Sequence, residues 1–146
     1  MQLQTTRFGE ITIDPELIFA FPGGLPGFPA EHRFALLSIN LADTPFIWMQ
    51  SVDNPALCFL LVDPQRTFDH YSPELTAADA QLLQCGPGAE MQVLCIVSVP
   101  DGDLRHATVN LKAPLWFHSQ HRLALQAIAD NESYSIRHPL FVKGGE

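Results

Sequence analysis

The chain has 146 residues, of which 47% are apolar (AVILMFWYC) and only 16% charged. That is one domain's length, enough to remove about 70% of the unfolded surface from water, and the apolar content excludes a disordered chain. Eight Lys+Arg against sixteen Asp+Glu give a net charge of −8, with the basic residues scattered singly from Arg7 to Lys143. No basic stripe is present to neutralise nucleic-acid phosphates or anionic lipid, so neither is expected as a direct partner. The scarcity of charge leaves neutral surface for a protein partner, and the acidity favours a basic one.

The opening MQLQTTRFGE lacks the apolar stretch of a signal peptide. The longest uncharged stretch, Leu17 to Ala30, is too short to span a bilayer and is broken by prolines and glycines. Cys58, Cys85 and Cys95 show no C-x-x-C spacing. The odd count and the apolar neighbours of Cys58 and Cys95 read as reduced core thiols of a cytoplasmic protein.

Proline and glycine recur between short apolar runs along the whole chain, which reads as mainly antiparallel β. The segment LQTTRFGEITI predicts a hairpin turning near Phe8-Gly9. Asp14-Pro15-Glu16 caps one short turn, and Ile18 to Phe21 is a short strand. PGGLPG (Pro22 to Gly27) must be a tight loop; it lacks the Lys-Ser/Thr of a phosphate-binding P-loop and opens no helix. Strands follow at Phe34 to Ile39, Phe46 to Ser51 and Leu57 to Val62. Phe46 to Ser51 carries large side chains on both faces, so both faces are expected to be covered.

One short helix is predicted over about 76–84. Thr76 caps it with Asp79 three residues on, Leu75 suits a hydrophobic staple against Ala80, and Gly86 and Pro87 end it. Met91 to Val99 is the strongest strand, bounded by Gly86-Pro87-Gly88 and by Pro100-Asp101-Gly102. Ala107 to Leu111 and Leu115 to Phe117 follow, then Leu123 to Ile128 as strand or helical turn, then a strand over Ser133 to Phe141. The fold class is therefore mainly β, a single domain over residues 1–146 in which an antiparallel barrel-like sheet hides its edges.

Candidate chemistry is thin. His106, His118 and His121 lack a nearby cysteine and a full ligand set, so they read as solvent-exposed turn histidines and no metal or other cofactor is expected. Asp53 and Asp63 open turns at Asp-Asn-Pro and Asp-Pro. A hydrolytic or small-molecule-binding barrel using Asp53, Asp63 and the histidines is the alternative reading; it requires a polar lumen, whereas a binding protein is served by a filled apolar one. No triad or Cys/His pair has local support, so no catalytic residue is assigned and no enzyme is expected. Trp48, Trp116, Phe46, Phe117 and Tyr71 form an aromatic set, mostly core, with one or two exposed members suited to anchor a partner.

Six strings in order resemble the flagellar assembly factor FliW family: AFPGGLPGF (Ala20 to Phe28), PFIWMQSVDNP (Pro45 to Pro55), FLLVDP (Phe59 to Pro64), YSPEL (Tyr71 to Leu75), TVNLKAP (Thr108 to Pro114) and YSIRHPL (Tyr134 to Leu140). The resemblance implies a small cytoplasmic β-barrel that binds flagellin and the translational repressor CsrA. It implies partner switching: the free protein sequesters CsrA and relieves repression of flagellin translation, and accumulated flagellin reverses this. The motif positions it points to for partner binding are Phe46, Trp48, Gln50, Ser51, Asp53, Asn110, Arg137 and His138. Gln50 and Asn110 can equally serve barrel backbone groups, and Arg137 can serve as a buried ion partner of Asp53 or Asp63. The chain departs from the family pattern at His118, where Asn is usual, and at Ala124, where Gly is usual.

Overall fold

The computed structural model describes residues 1–86 and 90–141. The expected helix stop at Pro87 and the strand boundary at Gly88 lie outside them, as does Lys143. Among the described residues eleven strands are formed: β1 (Gln2–Thr5), β2 (Gly9–Thr12), β3 (Ile18–Ala20), β4 (Arg33–Leu37), β5 (Phe46–Ser51), β6 (Cys58–Val62), β7 (Met91–Ser98), β8 (Thr108–Val109), β9 (Leu115–His118), β10 (Leu123–Gln126) and β11 (His138–Pro139). Two short helices join them, α1 (Pro64–Thr67) and α2 (Ala77–Leu82), with 3-10 turns at Pro15–Leu17, Pro100–Gly102 and Leu104–His106.

Seven strands close a barrel in the order β3-β4-β5-β6-β7-β9-β10. Antiparallel pairing runs round the ring, except at the closure. There β10 meets β3 in parallel through Leu123 opposite Ala20, and the Ala20 N–H donates to the Arg122 carbonyl at 2.9 Å. β7 is long enough to serve two neighbours on one edge: Met91 to Leu94 pair with β9, and Val97 and Ser98 pair with β8. β11 then adds to β8 as a small tab outside the barrel.

Strand alternation explains the core. Opposed pairs Phe19/Phe34, Leu36/Met49, Ile47/Leu61, Leu94/Leu115 and Phe117/Ala124 all point inward and form one cluster that fills the lumen. The outer faces are covered too. The β1–β2 hairpin lays Leu3 and Ile13 on Ala35 and Leu37. The stretch from α1 through α2, with the C-terminal segment, brings Tyr71, Leu83 and Leu140 onto Val93, Cys95 and Trp116. Coverage of both faces of β5 follows directly. Burial pushes the Cys95 thiol up to about 12, as suits an inert core thiol.

Three expectations change. Asp63-Pro64 opens a helix rather than a bare turn: the Asp63 carboxylate accepts the Gln65 N–H at 3.1 Å and Pro64 supplies a preset φ. The expected strand Ser133 to Phe141 contracts to His138–Pro139. Asn131 and Ser135 side chains capture the N–H groups of Ser133 and Arg137, competing with a ladder. The third is His118. It is 2% exposed rather than a solvent-facing turn residue. It ends β9 opposite Met91 and Leu123, and its Nδ1 accepts the His121 N–H at 3.2 Å.

The predicted α2 has its cap in place, with the Thr76 hydroxyl accepting the Asp79 N–H. In the PGGLPG loop Gly24 has φ +71, and a Cβ there would sit 2.6 Å from the Pro29 carbonyl oxygen. Only glycine fits that position.

Candidate partner-binding surface

The eight motif positions separate into two groups. Phe46, Trp48, Gln50, Ser51 and Asp53 lie on β5 or just beyond it, whereas Asn110, Arg137 and His138 gather around the β8–β11 tab.

On β5, alternation puts Phe46, Trp48 and Gln50 on the outer face. Trp48 is half-buried: Phe8 packs edge-on at 5.6 Å, the Arg7 guanidinium lies 4.7 Å over the ring, and the indole N–H donates to the Ile39 carbonyl at 3.2 Å. The hairpin tip therefore covers this tryptophan. Phe46 is partly buried against the outer cluster that contains Val62 and Tyr71. Gln50 is fully buried. Its Nε2 donates to the carbonyls of Ser51, Pro55 and Asn54 at 3.1, 3.2 and 3.4 Å, while its Oε1 has no partner. Ser51 donates to Glu31 at 2.9 Å and accepts the Asn54 N–H at 3.0 Å. Gln50 and Ser51 thus hold the turn between β5 and β6, a structural duty.

Asp53 pairs with Arg33, not with Arg137. Two hydrogen bonds, 2.6 and 3.3 Å, tie the carboxylate to the guanidinium and hold its pKa below the usual value. Both side chains are 51% exposed, so solvent screening leaves this pair under about 1 kcal/mol. Because the folded pKa is depressed, that contribution exists above the unfolded value of about 3.9 and disappears as pH falls. Asp53→Asn should therefore cost under about 1 kcal/mol near neutrality, and the difference should vanish in strong acid. Urea midpoints across pH check this; a larger loss, or one that persists in acid, would contradict it.

At the tab, Asn110 and Arg137 line one shallow groove of ≈ 730 Å³ together with Ile96, Pro100 and Ile136. The Asn110 carboxamide oxygen accepts the Ala113 N–H at 3.0 Å, so part of its role is to shape the loop before β9. Arg137 is exposed and makes no ion pair among the described residues. His138 sits on the neighbouring groove of ≈ 550 Å³ with His106, Pro139 and Phe141, and packs edge-on to Phe68 at 4.9 Å. Ile136 is 59% exposed and Phe141 53%. Exposed apolar side chains beside an unpaired arginine make this the motif group with free contact surface.

The sequence reading missed Phe28, Leu82, Leu104, Ile136 and Phe141 as exposed apolar residues. Composition hinted at such a surface, but periodicity has no way to locate it in loops. A further groove of ≈ 640 Å³ runs between the PGGLPG loop, Leu82 of α2 and β10.

The carboxylates and histidines of the hydrolytic alternative do not converge. Asp53 is held by Arg33 and Asp63 caps α1, while His106 contacts Asp103 and His118 contacts His121. The lumen is filled with apolar side chains. Among the described residues no group of three or more His, Cys, Asp or Glu is placed to hold a metal, and no helix is long and apolar enough to cross a membrane.

The family model described as "FliW protein" matches residues 2–140. The chain belongs to the FliW family. Curated relatives agree along nearly its whole length. The flagellar assembly factor FliW of Geobacter sulfurreducens is 38% identical over 141 residues, covering 97% of this chain and 87% of the relative. That of Thermoanaerobacter pseudethanolicus is 35% identical over 140 residues, covering 96% and 93%. A crystal structure of the flagellar assembly factor FliW superposes with a TM-score of 0.88 at 35% identity, covering 98% of this chain and 99% of the other. The resemblance read from six motifs and the barrel expected from the strand pattern are both borne out.

Proposed function

We propose that the chain acts in the cytoplasm by binding rather than by catalysis, taking flagellin and CsrA as alternative partners. In this reading the free protein sequesters CsrA and relieves repression of flagellin translation, and rising cytoplasmic flagellin reclaims the protein and restores repression. Family membership across residues 2–140 carries the proposal. The apolar lumen, the scattered carboxylates and the exposed apolar residues around Asn110, Arg137 and His138 support binding over hydrolysis. The net charge of −8 suits a basic, RNA-binding partner.

Switching requires negative coupling, and coupling between two binding events is reciprocal. Titrating flagellin into a preformed complex with CsrA on a sizing column should release CsrA, and titrating CsrA into a flagellin complex should show the same affinity factor. A stable three-component peak would refute the switch while leaving the binding itself standing. Failure of either partner to bind in isolation would refute the proposal at its root.

A further inference from the structure

From the β1–β2 hairpin we infer that the outer edge of β2 is a docking site for an extended, basic peptide segment, which adds there as a third strand. The register shows the free edge. Met1 and Ile13 exchange both hydrogen bonds, at 3.2 and 2.8 Å. Alternation along an antiparallel ladder then makes Leu3 opposite Ile11 and Thr5 opposite Gly9 the next hydrogen-bonded pairs. Glu10 and Thr12 fall at the intervening positions, with N–H and C=O directed away from β1. Among the described residues no strand pairs with β2 on that side.

A groove accompanies the edge. It has a volume of ≈ 540 Å³ and is lined by Ile11, Thr12, Leu17, Leu37 and Ile39, among others. No residue of β1 lines it, so it lies on the unpaired side of β2. Leu17 is 41% exposed within it. A strand hydrogen-bonded to Glu10 and Thr12 would lower alternate side chains onto Ile11, Leu17, Leu37 and Ile39. Main-chain bonds along the edge and apolar pockets beneath it are the two elements of strand addition.

Charge selects the occupant. Glu10, Asp14 and Glu16 are all exposed along this edge. The nearest cation in sequence, Arg7, is turned onto Trp48. The guest is therefore a segment with alternating apolar residues and Lys or Arg between or beside them. A second copy of this chain is disfavoured, because two-fold pairing would bring the same three carboxylates together. The inference does not depend on which protein supplies the segment, nor on flagellin or CsrA being partners.

The probe is a short synthetic peptide of alternating valine and threonine flanked by lysines, added to isotope-labelled full-length protein. Amide hydrogen exchange at Glu10 and Thr12 is the readout. The basic peptide should slow both amides about tenfold at about 1 mM. An aspartate-flanked peptide of the same core should not, nor should the basic peptide N-methylated at alternate residues. Leu17→Lys, an exposed change that leaves the core untouched, should remove the protection. Absence of protection at about 1 mM, equal protection by the acidic or N-methylated peptide, or binding that leaves Glu10 and Thr12 unprotected would overturn the inference. So would slowing of the same amides by self-association without peptide.

Discussion

Phe117→Ala should cost about 3–5 kcal/mol of folding stability, a large share of the roughly 5–15 kcal/mol that holds a domain together. Phe117 is fully buried in the lumen. Phe19 and Phe21 meet its ring edge-on at 5.1 and 5.9 Å, an arrangement that adds to simple burial. Its cross-strand neighbour, Ala124, is too small to fill the space left. β9 is held on one side by β7 and on the other by β10, so the barrel wall cannot readily move in to close the void. The urea midpoint should fall while its slope stays constant. Phe141→Ala, at a site 53% exposed, should change stability by less than about 0.5 kcal/mol. A Phe117→Ala loss below about 1 kcal/mol would mean that the lumen repacks and that the barrel is not the rigid element claimed for it.

The difference between these two phenylalanines also marks what could be read without coordinates. Inward positions are legible because alternation along β4, β5, β7 and β9 repeats every second residue, and closure demands that one face be apolar on every strand. The N-terminal hairpin and the α2 cap are legible because Gly9 and Thr76 sit where only a turn or a helix start uses them. His118 was misplaced because polarity at a turn predicts exposure, whereas its position as the last rung of β9 buries it between Met91 and Leu123. Residues 133–137 form no strand because the side chains of Asn131 and Ser135 bind the N–H groups of Ser133 and Arg137 that a ladder would need, a local competition that the extended His138-Pro139 end of the segment does not reveal. The motif residues fared unevenly for a related reason. Motif recurrence does not distinguish a residue that holds a turn from one that touches a partner. Coordinates assign Gln50, Ser51 and Asp53 to the β5–β6 turn and its flank, and leave Arg137 and His138 beside the exposed apolar surface.

Gln50 offers the sharpest test of that division. It faces three carbonyls, those of Ser51, Asn54 and Pro55, through its single amide nitrogen, and its Oε1 is already without a partner. Gln50→Glu replaces the only donor with a second acceptor in a site fully removed from water. Ionised, the new carboxylate meets three carbonyl dipoles in a site removed from water, and Arg7, which reaches the cross-strand neighbour Cys58, offsets this only in part, so its folded pKa should lie above the unfolded value of about 4.3. A raised folded pKa means that the variant keeps most of its stability below about pH 4, where the O–H can donate to one carbonyl. It loses that stability as pH rises. Near neutrality the loss should reach about 3–5 kcal/mol, the scale of an unpaired buried charge. Gln50→Met, which removes the donor without adding charge, should be destabilised by a similar amount at both pH values. Urea midpoints for the wild type and both variants, near pH 4 and near pH 7, separate the cases. If Gln50→Glu shifts the midpoint equally at the two pH values, Gln50 is not the closed structural contact described; if it loses binding to the proposed partners while unaltered in stability, a partner-facing role for this position returns.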